Sequence, residues 1–104
     1  MRVEYKREGG FTGIPLSAEF DSESLPPEKA GTLVELVEAA DFFHLPARIS
    51  PPTVGADRFE HFLTVEENGK RHSVTTSGGG PVALQELLEF IGKLAKEKRS
   101  QGGL

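Results

Sequence analysis

Three histidines, two glycine runs and a scatter of carboxylates and serines are the residues of this 104-residue chain whose types admit chemistry. His61 and His72 flank Asn68-Gly69, so a hairpin turn there would carry them on facing strands. Two imidazoles make an incomplete zinc site, and Asp57 and Glu60 are the near carboxylates that could complete it. No recognised ligand spacing is present, so half-buried packing histidines are the better reading and no metal is expected. Gly9-Gly10 and Gly78-Gly79-Gly80 are neither followed by the Gly-Lys-Ser/Thr of a phosphate loop nor spaced as a dinucleotide fingerprint. The second run, with Pro81 behind it, leaves free N–H groups at a helix start that could hold an anion; a linker is the simpler reading. No serine sits in a nucleophile elbow. Glu66-Glu67 flanks a turn. With no catalytic constellation, neither an enzyme nor a cofactor is expected.

The elements that must position these residues centre on Asp57–Thr76. Phe59, His61, Leu63 and Val65 share one face of an extended strand; Arg58, Glu60, Thr64 and Glu66 share the other, with Phe62 out of pattern among them. Asn68-Gly69 suits a type I′ turn, whose two central residues need positive φ. His72, Val74 and Thr76 then alternate with Arg71, Ser73 and Thr75. A first hairpin is read upstream: Val3, Tyr5 and Arg7 alternate with charged residues, Gly9-Gly10 turns, and a second strand covers Phe11 to Phe20. Pro15 has no N–H for a ladder, so that strand is an edge strand or is broken at Pro15, with Gly13 as a candidate bulge.

Pro26-Pro27-Glu28 opens a helix whose stripe is Ala30, Leu33, Val34, Val37 and Ala40, ending near Asp41. Phe42, Phe43 and Leu45 form an apolar cluster for the junction of helix and sheet. Pro81 opens a second helix with the stripe Leu84, Leu87, Leu88, Ile91, Leu94 and Ala95, and lysines crowd its last turns. The expected architecture is a two-layer α+β sandwich: a four-stranded antiparallel sheet with two helices on one face, in ββαββα order. It forms one domain over residues 1–104, with a frayed tail from about residue 100.

Between helix and hairpin, Pro46 to Ala56 holds three prolines and shows no period. Irregular stretches of such length in small domains are often functional, and proline lowers the entropy lost on docking. Its presentable side chains are Arg48, Ile49, Thr53 and Val54; a plain connector is the other reading.

Composition narrows the class further. A formal net charge of −4 argues against nucleic acid. No stretch approaches the roughly 20 apolar residues that cross a bilayer, and the N-terminus has no apolar signal region. The absence of cysteine excludes disulfides and thiolate chemistry and agrees with a cytoplasmic location.

Four stretches stand out together: Arg7-Glu8-Gly9-Gly10-Phe11-Thr12-Gly13, Ala40-Asp41-Phe42-Phe43-His44-Leu45-Pro46, Gly55-Ala56-Asp57-Arg58-Phe59 running into Leu63-Thr64-Val65-Glu66, and His72-Ser73-Val74. In this order and spacing they resemble the emfourin family, small proteinaceous inhibitors of protealysin and other thermolysin-like zinc metallopeptidases. His61 departs from the pattern, where tyrosine is expected. The resemblance implies a thermolysin-like metallopeptidase partner, often encoded beside the inhibitor, and docking on its active-site cleft. The expected contact is the Pro46–Arg58 loop, with Arg48, Ile49, Thr53, Val54, Asp57 and Arg58 as protease-binding residues. Ile49 and Val54 would offer apolar side chains to a hydrophobic specificity pocket. Asp57 carries an acceptable zinc ligand, although an Asx turn before the strand is the favoured reading for it. A monomer or weak homodimer is expected. The competing reading is a protein-binding or homodimerising module, paired through the open sheet edge beside Pro15, without a protease partner.

Overall fold

The computed structural model describes residues 1–9, 15–49, 59–77 and 80–102. The chain runs β1 (Arg2–Gly9), β2 (Leu16–Asp21), a 3-10 turn (Ser22–Ser24), α1 (Pro27–Ala39), a second 3-10 turn (Phe42–His44), β3 (Arg48–Ile49), β4 (Phe59–Glu67), β5 (Lys70–Thr76) and α2 (Val82–Gly102). The five strands form one sheet in the order β2-β1-β4-β5-β3. β1 pairs with β2 and β4 with β5, both antiparallel, as their alternation requires; Gly10 of the expected first turn and Phe11 to Ile14 of the expected second strand lie outside the described residues. At the β4–β5 turn Asn68 and Gly69 take φ of 52° and 77°, the two positive values a type I′ turn needs.

The expected four-stranded antiparallel sheet in ββαββα order is corrected in one respect. Arg48-Ile49, read as irregular chain, pairs in parallel with Thr75-Thr76 and adds a fifth strand at the far edge, which makes the sheet mixed. Two residues are too short for any alternation to register, and Pro46 and Pro51 on either side mask the strand. The chain leaves β2 at one edge of the sheet and, after α1, reaches β3 at the other; β3 runs parallel to β5 because the antiparallel β4 lies between them in the chain. The second strand begins at Leu16, after Pro15, and lies at the sheet edge as the proline demands; Gly13 lies outside the described residues. That edge is partly covered, because Lys98 Nζ donates to the Glu19 carbonyl (2.5 Å) and sits 5.4 Å from the centre of the Phe20 ring.

One core fills the space between sheet and helices. Val3 and Tyr5, Leu63 and Val65, Val74 and Thr76 point inward from the three central strands, against Leu33 and Val37 of α1 and the whole predicted stripe of α2. Phe42 is fully buried at the junction, edge-on to His72. The opposite sheet face is wet and laced with exposed ion pairs, Arg71–Glu4 (2.7 Å) and Arg2–Glu19 (2.8 Å) among them; each contributes at most about 1 kcal/mol. Phe62, the exception in the alternation, lies on this open face in the row with Lys6 and Thr75. The backbone of α2 is helical to Gly102.

Candidate functional site

Several strands end or begin at one end of the sheet. Strand pairing aligns Leu16, Arg7, His61, Thr76 and Ile49 as a single row across all five strands. Beyond that row β1 leaves toward residues 10–14, β3 toward residues 50–58, and β5 toward residues 78–79 and α2. The glycine-rich stretch after Arg7 and the stretch before Phe59 therefore depart from the same end, although they are about fifty residues apart in sequence. The Asn68-Gly69 turn and the N-terminus lie at the other end.

The row fixes which way the flanking side chains point. Ile49 shares the helix-side face with His61 and Thr76; it is half-buried, packs against the core, and lines the space beside Gly80 together with Leu84. Gly80 has φ +87°, and a Cβ built there would come within 3.1 Å of Leu84, so the link from β5 into α2 needs glycine at this position. Arg48 points to the open face, 66% exposed, with its guanidinium 3.5 Å from Glu60. Of the expected protease-binding residues, Arg48 and Ile49 thus stand at this end of the sheet on opposite faces. Thr53, Val54, Asp57 and Arg58 lie outside the described residues.

The three histidines are separate. His61 pairs in register with Thr76 and His72 with Val65, so four residues of β4, roughly 13 Å at strand rise, part the two rings. His72 Nε2 donates to the Leu45 carbonyl (2.7 Å) between the Phe42 and Phe43 rings and ties the Phe42–His44 turn to β5. His44 pairs with Asp41 at the surface (2.7 Å), where Asp41 takes a left-handed φ of 50°. Among the described residues no group of three or more ligating side chains could hold a metal.

A pair that sequence reasoning passed over lies in the row itself. The Tyr5 hydroxyl is 2.8 Å from His61 Nδ1, and the two rings stack with centroids 6.0 Å apart. Burial lowers the His61 pKa and raises that of Tyr5; the Arg7 guanidinium lowers both. The alternation that put Tyr5 and His61 inward was a signal for this pair, but only the β1–β4 register, which sets Arg7 opposite His61, makes them diagonal neighbours.

A family model for Emfourin matches residues 5–92, from the first hairpin well into α2. The chain belongs to the Emfourin family. Emfourin is known in general as a metallopeptidase inhibitor domain. The matched span takes in β3, both flanks of residues 50–58, and the Tyr5–His61 pair. It stops at Gly92, so the lysines of the last turns of α2 lie outside it. No curated protein and no solved structure matches the chain. None of the helices among the described residues is long and apolar enough to cross a membrane.

Proposed function

We propose that this protein is a non-enzymatic inhibitor of thermolysin-like, protealysin-type zinc metallopeptidases, and that it docks on the active-site cleft through the end of the sheet where the loops leave. The observation that carries this reading is family membership over residues 5–92. Geometry supports the choice of surface. Residues 50–58 are anchored at Ile49 and Phe59, on strands separated by β5 alone. Two strand spacings are about 10 Å, far less than these residues could span at about 3.3 Å each. A segment with excess length on rigid anchors suits a cleft, because the scaffold loses little entropy on binding.

In this reading Arg48, Thr53, Val54, Asp57 and Arg58 contact the protease, and Ile49 sets the root of the contact from the core side. Asp57 carries a carboxylate that suits the catalytic zinc. The protein acts in the cytoplasm, in keeping with its lack of cysteine. The test is titration of protealysin, and of a panel of thermolysin-like enzymes, with the purified protein over a wide concentration range. Stoichiometric loss of activity is expected. Full activity across the panel, with the genomically neighbouring peptidase included, would overturn the reading.

A further inference from the structure

On its helix side the sheet is crossed obliquely by α2, which starts beside Ile49 of β3 and ends beside Phe20 of β2. Where α2 passes the end of β1 and the start of β4 it leaves a groove of about 490 Å3. The sheet lines it with Tyr5, Arg7 and His61; α2 lines it with Glu89, Gly92, Lys93 and Lys96 among others. Among the described residues that line it are three cations and one carboxylate, Glu89, which lies 3.6 Å from Lys93. This local positive excess stands in a chain of net charge −4. A Cβ built at Gly92 meets nothing within 4 Å, so the helix wall is open at mid-groove. Arg7 and His61 belong to the row from which the loops depart, so the groove adjoins the proposed docking end.

We infer that this groove receives an acidic side chain or acidic stretch of the metallopeptidase and steers the enzyme onto the loop-bearing end of the sheet. The inference rests on the inhibitor reading above and adds the chemistry of a second contact. Charge complementarity selects the occupant: a carboxylate entering beside Lys93 and Lys96 meets opposite charge on the helix wall, whereas a basic segment would be repelled. Lys93 and Lys96 lie beyond the family-matched span.

The experiment measures association rates with protealysin by progress-curve inhibition at low and high ionic strength. The proteins are wild type, Lys93→Gln/Lys96→Gln, Lys70→Glu and Gly92→Leu. Lys70→Glu changes net charge as much as the double variant does, but at the far end of the sheet. The double variant is expected to associate about 10-fold more slowly at low salt and to lose most of its salt dependence, with Lys70→Glu within about twofold of wild type. Gly92→Leu fills the groove and is expected to weaken inhibition without lowering the thermal midpoint, which separates groove occupation from folding. Equal rates for the double variant and wild type, or an equal drop in Lys70→Glu, would overturn the inference while leaving the inhibitor reading intact. Absence of inhibition by wild type itself would overturn both.

Discussion

The Tyr5 hydroxyl sits 2.8 Å from Nδ1 of His61. Tyr5 is buried on β1 and His61 half-buried on β4, so the bond closes a diagonal between these adjacent strands near the end where β1 finishes and β4 begins. A neutral imidazole accepts there from the tyrosine O–H, which leaves the ring proton on Nε2. Arg7 stands beside both rings, and Lys93, Lys96 and Glu89 of α2 face the same groove. Burial first, and Arg7 second, hold the His61 pKa below its ordinary 6.5. The unfolded chain therefore takes up a proton at this site before the folded one does. Stability contributed by neutral His61 is complete above pH 6.5 and is lost as pH falls from there through the folded pKa. The thermal midpoint should fall between about pH 7 and 5.5, a window in which most carboxylates stay ionised. His61→Phe should flatten that slope, as thermal melts across the window would reveal; identical slopes in the two proteins would refute it.

The other half of the pair gives a prediction at neutral pH. Tyr5→Phe keeps the ring and removes the donor, leaving a half-buried imidazole nitrogen without its partner. The expected cost is about 1 kcal/mol in urea unfolding, the usual net worth of such a hydrogen bond. A cost near zero would mean that water replaces the hydroxyl.

Gly69 tests the independence of the two ends of the sheet. Its φ of +77° follows Asn68 at +52° in the β4–β5 turn. Gly69→Val forces a β-branched residue into left-handed backbone, at roughly 1–2 kcal/mol. Because the turn lies at the far end of the sheet from Arg48-Ile49 and the proposed docking surface, inhibition of protealysin should be unchanged while the unfolding midpoint drops. A parallel loss of inhibition would place part of the contact at the turn.

Much of the scaffold was legible because it rests on periodicity. The stripes of both helices are buried or half-buried as spaced, and Leu63, Val65, Val74 and Thr76 lie inward as the alternation around Asn68-Gly69 required. Pro15 was read as marking an edge strand or a break, and β2 both starts just after it and lies at the sheet edge. What periodicity could not carry was long-range pairing. Arg48-Ile49 has no pattern of its own and becomes a strand only through Thr75-Thr76, so neither the fifth strand nor the strand order was available from spacing. The candidate site shares this origin. That the stretches after Arg7 and before Phe59 leave the same end of the sheet follows from the β1–β4 register, and so does the contact of Tyr5 with His61. His61 and His72, read as possible neighbours on facing strands, are parted by the β4–β5 ladder, which sets His61 opposite Thr76 and His72 opposite Val65.

The opposite orientations of Arg48 and Ile49 decide how the docking end should be probed. Ile49→Asp is the direct way to remove an apolar contact, but Ile49 packs against the core beside Leu84 and Gly80. A carboxylate placed there is partly buried without a partner, at about 2 kcal/mol or more, so lost inhibition would be confounded with a damaged scaffold. Arg48 is 66% exposed on the open face, and its pairing with Glu60 at 3.5 Å is a surface contact. Arg48→Glu should cost less than about 1 kcal/mol of stability, since exposed pairs contribute little. If Arg48 meets the protease, the reversal should raise the inhibition constant about 10-fold or more, a loss of roughly 1.4 kcal/mol in binding. Val54→Asp, within residues 50–58, should do the same without moving the thermal midpoint. Inhibition constants measured beside melting curves separate the cases: weak inhibition by a protein of unchanged stability locates the contact at this end. Unchanged constants in both Arg48→Glu and Val54→Asp would move the docking surface elsewhere on the molecule.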